Sequence, residues 1–314
     1  MKILYISDAE FEDYLCDGLL HGLLSLGNVS VVDFGRRWML YQTDFSSGAH
    51  SLKSLRGGGF SLYGLLPENN ADREDINTKI KAHYFDLIIY GNVFKTLEYI
   101  SLVLENYKPQ EVLFIDGEDH QWLYPGLIQR GLYFKRELNQ TLKGVFPIHF
   151  AIPESKLSTG PVNKDKLFAQ VDARNKETYI FGNETDYYAD YQKSFFAITM
   201  QKVGWDGLRH YEILANQCIP NFLHLVECPM QTMTRFPKLE AYQAASLIEK
   251  KGAEYFLTRE GQDVYTFLLG KLVRWTHQYL TTKALARYVL EVQDAVSSGH
   301  IYHLDLLTTP TFNC

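Results

Sequence analysis

The sequence predicts an α/β protein of two halves, each a parallel sheet wound with helices, the sheets facing one another across a cleft. Three observations predict it. Strand, helix and strand succeed each other within the first 34 residues, which leaves room only for a parallel crossover. Short apolar runs keep alternating with helical periodicity through both halves. Near the middle of the 314 residues, Phe146-Pro147-Ile148-His149-Phe150-Ala151-Ile152-Pro153 reads as an extended link, because each proline biases its predecessor away from helix. It divides the chain into domains at 1–150 and 151–314.

In order, Lys2 to Ser7 is a short buried strand, Phe11 to Leu24 is helical until Gly27-Asn28 stops it, and Val29 to Phe34 is a second strand. Residues 35–75 are irregular, and a stretch of that length signals a functional loop or an insertion. Helix resumes over Asp75–Ala82, strand over Phe85–Gly91, helix over Leu97–Asn106 and strand over Glu111–Gly117. Gly126–Arg130 is a short helix and Leu132–Lys135 the last strand of the half. In the second half Glu177–Gly182 reads as strand, Asp186–Lys193 as helix and Ser194–Thr199 as strand. Asp206–Ala215 is helical, Cys218–Phe222 extended, and Lys238–Lys250, Asp263–Tyr279 and Thr282–Ser297 are helices. The last of these have the option of packing back on the first domain.

Hydrophobic residues at 46% and charged residues at 22% are globular values and exclude disorder, collagen and coiled coil. With 31 Lys plus Arg against 37 Asp plus Glu, the formal charge is −6. A net-acidic chain without a basic run is a poor nucleic-acid coat and a poor binder of anionic membranes. There is no signal-peptide pattern and no apolar run of membrane-spanning length. The four cysteines, Cys16, Cys218, Cys228 and Cys314, lack C-x-x-C spacing and read as reduced thiols. The expectation is a soluble, cytoplasmic protein.

The most informative stretch runs from Lys202 to Pro220. A helix starts directly after the glycine loop that follows a strand, and free N–H groups at such a start attract phosphate. Lys202 and Arg209 would neutralise a diphosphate, and Glu212, one turn on, would accept hydrogen bonds from a ribose diol. The same residues also fit a plain amphipathic helix, with Asp206 as N-cap and Arg209 and Glu212 as a surface pair.

Trp205, Asp206, Arg209, Glu212, Leu214, Ala215, Cys218, Ile219 and Pro220 match the form W-D-x-x-R-x-x-E-x-L-A-x-x-C-I-P. This resembles the nucleotide-sugar site of glycosyltransferases of the GT-B fold, in their CgeB-like and exostosin-like branches. Asp13-Tyr14-Leu15, Leu20-His21-Gly22-Leu23, Val32-Asp33, Asp116-Gly117-Glu118-Asp119 and Tyr133-Phe134-Lys135-Arg136-Glu137 carry the resemblance into the first half. It implies two Rossmann-like domains, an acceptor domain first and a donor domain second. It implies a nucleotide-diphosphate sugar held by Lys202, Gly204, Trp205, Asp206, Arg209 and Glu212, with no metal and no cofactor. Many retaining members carry two glutamates eight residues apart. Glu212 stands for the second, but Gly204 occupies the position of the first, so the stereochemical course is open.

In the first half, Asp116-Gly117-Glu118-Asp119-His120 follows a buried strand and so lies at the carboxyl edge of the sheet, where open α/β sheets bind ligands. Asp119 would be a general base, with Glu118 and His120 beside it; a solvated acidic turn is the alternative. Asp8 ends the first strand at the same edge, as base or as helix cap. Lys135 or Arg136 would face the diphosphate across the cleft, or form a solvated turn with Glu137. Arg36, Arg37, Trp38 and Tyr41 would shape an acceptor site or pack on the first domain. Gly57-Gly58-Gly59 lacks the flanks of a dinucleotide fingerprint and reads as an acceptor loop, and His210 reads as a helix histidine.

The expected function is transfer of a sugar from a nucleotide sugar to a hydroxyl on a glycan, protein, lipid-linked intermediate or modified base. The catalytic candidates are Asp119, Asp8 and Arg209. A sugar-nucleotide epimerase and a noncatalytic nucleotide-sugar binding module are the alternatives.

Overall fold

The computed structural model describes residues 1–300. β1 (Lys2–Ile6), α1 (Tyr14–Leu24) and β2 (Ser30–Phe34) make the opening crossover. The cap of α1 is Asp13, not Asp8: Asp13 Oδ1 accepts from the N–H groups of Leu15 and Cys16 at 3.0 and 3.1 Å. Residues 35–75 hold one short helix, α2 (Gln42–Ser46), among turns. Much of this segment is bolted to the first domain. Arg37 is buried against Asp17 at 2.7 Å, and the Tyr41 hydroxyl donates to Asp33 at 2.6 Å.

The first domain continues through α3 (Ile76–Lys81), β3 (Leu87–Tyr90), α4 (Ile100–Asn106), β4 (Val112–Asp116), α5 (Pro125–Ile128), β5 (Leu132–Lys135) and β6 (Val145–Pro147). Its six strands are all parallel, in the order β2-β1-β3-β4-β5-β6. Residues of β1 alternate between two cores: Ile3 and Tyr5 face one, Leu4 and Ile6 the other. Burial of both faces explains why these strands are apolar throughout. The start of the extended link is itself a strand, contrary to expectation: β6 pairs with β5 from Tyr133↔Val145 to Lys135↔Pro147. It lies at the sheet edge, where Pro147's missing N–H removes no interior ladder bond.

The second sheet is smaller. β7 (Lys166–Phe168), β8 (Ser194–Met200) and β9 (Ile219–Leu223) are parallel in that order, with α6 (Glu184–Lys193) and α7 (Leu208–Ala215) between successive strands. The strand expected over Glu177–Gly182 is absent. Asn175 accepts from the Glu177 N–H at 3.0 Å and the Thr178 hydroxyl donates to the Asn175 carbonyl at 2.6 Å, closing a turn there instead. At three residues, β7 is too short to show a period of its own.

α8 (Lys238–Lys251), α9 (Arg259–Tyr279) and α10 (Thr282–Ser297) complete the described chain. α10 crosses back onto α1. A Cβ at Gly22 would sit 2.0 Å from the Thr282 carbonyl oxygen, so glycine is what lets the two helices touch. His21 Nδ1 meets the Thr282 hydroxyl at 2.9 Å, and the Tyr288 hydroxyl donates to the Pro147 carbonyl at 2.6 Å. Among the described residues no helix is long and apolar enough to cross a membrane. Cys16, Cys218 and Cys228 are buried free thiols; Cys314 lies outside the described residues.

Candidate functional site

A cavity of about 700 Å³ lies between the domains, where the carboxyl edges of the two sheets face each other. On the second-domain side it is lined by Lys202, Gly204, Asp206, Arg209 and Glu212 from the loop after β8 and from α7. On the first-domain side it is lined by Glu12, Asp13, Glu118, Asp119 and Arg136.

The glycine loop is held differently from what its sequence suggests. α7 begins at Leu208 with Gly207 as N-cap, so Asp206 does not cap it. The Asp206 carboxylate turns inward, accepting from the Phe150 N–H and the Tyr211 hydroxyl, each at 2.7 Å. Burial raises its pKa to about 6, although the nearby Arg136 guanidinium opposes the shift. The N–H groups of Trp205 and Asp206 are also spoken for. Glu137, from the first domain, accepts from them at 3.1 and 2.9 Å. That leaves the N–H groups of Gly207, Leu208 and Arg209 without an acceptor among the described residues.

Gly204 is glycine for a steric reason. A Cβ there would lie 2.5 Å from Glu137 Oε1 and 2.7 Å from Asp119 Oδ1. Two carboxylates from the opposite domain therefore crowd the position at which the resemblance expects a glutamate.

Trp205 is buried and outside the cavity lining, with its indole stacked on Phe222 at 6.3 Å. It is a core residue rather than a donor contact. His210 donates from Nε2 to the Trp205 carbonyl at 2.9 Å and accepts at Nδ1 from the Thr199 hydroxyl at 2.9 Å. Burial lowers its pKa to about 3, so it is a neutral strut for the loop.

The two cations reach the cavity. Arg209 lies with its guanidinium 4.4 Å above the Tyr179 ring, bonds the Tyr179 hydroxyl through Nη1, and has no partner for Nε among the described residues. Lys202 is exposed and donates to the Ala173 carbonyl. Glu212 is buried and already engaged. Oε2 accepts from the Tyr187 hydroxyl at 2.8 Å and Oε1 from the hydroxyl of Ser61, a first-domain residue. Burial raises its pKa above the usual carboxylate range, and its two hydroxyl donors pull the other way.

Across the cavity Asp119 keeps 46% of its side chain exposed while accepting from Arg136 Nη2. Asn92 Nδ2 bridges Asp13 Oδ2 at 2.6 Å and Glu118 Oε1 at 3.2 Å. Of the two cations considered after β5, Arg136 lines the cavity and Lys135 does not. Lys135 is fully buried, paired with Asp116 at 2.7 Å beneath the edge, so it has no reach toward a ligand.

Three other expected residues stand outside the lining. Asp8 accepts from the Glu10 N–H at 2.6 Å in a local turn. His120 packs among Phe94 and Trp122. Arg36 is drawn away by Asp44 and Glu68, both at 2.6 Å.

Several residues outside the expected site set also line the cavity. Asp13, part of the resemblance in the first half, lines it from its place as the cap of α1. Tyr179 sat in a misread strand. Arg56 and Gly57 enter the lining through a loop in which Gly57, Gly58 and Gly59 have φ of 63°, 71° and 72°.

No protein-family model and no curated protein sequence matches the chain. Among solved structures, an alpha-glucosyltransferase in complex with UDP and a 13-mer DNA containing a HMU base aligns with a TM-score of 0.44 at 11% sequence identity. The alignment covers 94% of this chain and 99% of that one. The fold and the cavity together define an α/β protein with two parallel sheets and a cavity between their carboxyl edges.

Proposed function

We propose that the protein transfers a sugar from a nucleotide-diphosphate sugar to a hydroxyl acceptor. The observation that carries this reading is that one cavity sets two cations and the first N–H groups of a helix opposite a half-exposed carboxylate, Asp119. Lys202, Arg209 and the first N–H groups of α7 stand on the second-domain wall. Glu12, Asp13, Glu118 and Asp119 stand on the first-domain wall. A diphosphate leaving group needs the first set and an acceptor hydroxyl that must lose a proton needs the second.

In this reading the bond from the sugar's anomeric carbon to the β-phosphate oxygen breaks, and its electron pair leaves with the nucleoside diphosphate. Lys202, Arg209 and the α7 amides offset that growing charge. The acceptor oxygen bonds the anomeric carbon as Asp119 takes its proton, if the reaction inverts. Asp119 is favoured over Asp8 because it lines the cavity and is half exposed. The ribose diol would bond Glu212, taking the place of the Ser61 hydroxyl. The narrow space at Gly204 keeps the Asp119 carboxylate against the loop that bears the diphosphate.

The experiment is a thermal-shift and calorimetric screen over UDP-, GDP-, dTDP- and CMP-sugars, followed by nucleotide-release assays with acceptor panels. Transfer requires both a donor that binds and release that depends on acceptor. Turnover of donor without acceptor would indicate an epimerase. Binding with no turnover would indicate a noncatalytic module, and no binding at all ends the proposal.

A further inference from the structure

At the carboxyl edge of the first sheet the loops after β3 and β4 place four aromatic rings side by side on the surface. Phe94 and His120 meet edge to face at 5.1 Å, His120 lies 5.2 Å from Trp122, and Phe94 lies 5.9 Å from Tyr124. Trp122 is 76% exposed, and Phe94 and Tyr124 are 39% exposed each. Single exposed apolar residues need no explanation, but a contiguous aromatic cluster marks a surface that binds something. This cluster adjoins the cavity: Lys95 follows Phe94, Glu118 and Asp119 precede His120, and all three line it.

The chemistry around the rings selects the occupant. The two loops carry Glu98, Glu118 and Asp119 against Lys95, three carboxylates to one ammonium. A nucleic-acid strand stacked on aromatics requires a positively charged groove beside them, which this rim does not offer. A pyranose ring suits the site on both counts, because its C–H face stacks on an aromatic ring and its hydroxyls donate to carboxylates.

We propose that Phe94 and Trp122 form a stacking platform for a neutral saccharide, which presents its terminal hydroxyl to Asp119. The proposal rests on the sugar-transfer reading for the role of Asp119, but saccharide binding itself is measurable without transfer. The platform is built of exposed side chains, so its substitution leaves the core intact.

The test titrates gluco-, manno- and galacto-configured neutral hexasaccharides into the full chain, following tryptophan fluorescence and heat of binding. A single-stranded oligonucleotide of similar length is the comparison. Trp122→Ala, Phe94→Ala and the distant surface variant Phe267→Ala run in parallel, with thermal melts as controls. The expected result is binding of at least one hexasaccharide, weakened about tenfold or more by each platform variant and unchanged by Phe267→Ala. Binding of the oligonucleotide alone, failure of every hexasaccharide, or saccharide binding indifferent to Trp122 and Phe94 would each overturn the proposal. Platform-dependent saccharide binding in a chain that binds no nucleotide sugar would keep the platform and remove the transfer reading.

Discussion

The hydroxyl of Ser61 donates to the carboxylate of Glu212 across the domain interface, joining an irregular loop of the first domain to the helix that begins the second domain's cavity wall. The contact is reinforced on both sides. The Ser61 N–H donates to Glu184 at 2.5 Å, and the Tyr188 hydroxyl donates to Ser61 Oγ at 2.6 Å. Ser61 adopts a φ of 72°, which a serine does not favour, so the surrounding contacts impose it. A serine hydroxyl thus sits where the proposed ribose diol would bind.

Ser61→Ala removes one donor from a buried carboxylate. The expected cost is about 1–3 kcal/mol of stability in the ligand-free protein. Nucleotide-sugar affinity should hold or rise, since a competing hydroxyl is gone. Glu212→Ala should instead weaken donor binding. Calorimetric titration beside urea melts separates the two effects, and equal donor affinity in wild type and Glu212→Ala would remove the ribose role.

Arg209→Ala takes away the guanidinium that Tyr179 holds at the cavity wall. If Arg209 offsets charge on the leaving diphosphate, turnover should fall on the order of a hundredfold with only a small change in melting temperature. A variant that melts early but turns over normally would show that Arg209 serves the fold alone.

Gly204→Ala forces a methyl against Glu137 and Asp119. Neither carboxylate is free to retreat, because Glu137 is tied to two amides and Asp119 to Arg136. A loss of about 1–3 kcal/mol is expected. Unchanged stability would mean that the domains do not approach this closely in solution.

Lys135→Met leaves Asp116 buried without its cation. The expected cost is about 3–5 kcal/mol, with recovery in the double variant Lys135→Met with Asp116→Leu. Donor affinity in the folded fraction should not move, since neither side chain lines the cavity.

Acid should destabilise the fold through its buried histidines. Burial lowers His21 and His149 to about 4 and His210 to about 3, so each is neutral in the folded protein and takes a proton on unfolding below its ordinary value of 6.5. Their stabilising contribution is complete above pH 6.5 and is lost as the pH falls toward 4. Asp206 works in the opposite sense: its folded pKa of about 6 makes burial costlier as pH rises from about 4 to about 6. Near pH 5 each of the three histidines takes up about one proton on unfolding, roughly 1.4 kcal/mol per pH unit apiece, while Asp206 and the other carboxyls raised by burial, Asp17, Asp116 and Glu212, act against them. Urea melts between pH 7 and 5 measure the net slope, and His149→Asn should flatten it by about one proton.

The legible parts of the chain were those written in local pattern. α8 and α10 were readable from 3.6-residue periodicity, and β1, β3 and β4 from apolar runs bounded by turn residues. The second domain's β7 was not, because three residues carry no period, and the Asn175 turn passed for a strand because Tyr179-Ile180-Phe181 has strand composition. That Lys202, Arg209, Glu118 and Asp119 line the cavity was legible because they lie at or just beyond strand ends at sheet edges. Lys135 was misplaced because one residue's shift along a strand end decides between cavity and core, leaving Arg136 at the cavity and Lys135 below.

By itself the sequence determined the elements, the parallel crossovers and the two edges at which chemistry would gather, since each follows from residues within a turn or a strand of one another. Only the tertiary structure decided that Glu137 takes the amides of Trp205 and Asp206, that Ser61 occupies Glu212, and that Gly204 yields its space to two carboxylates. These contacts join residues 67 to 151 positions apart, as the separations of 68, 69 and 151 for the hydrogen bonds show. No local pattern encodes such distances, because they are set by how the two sheets close upon each other.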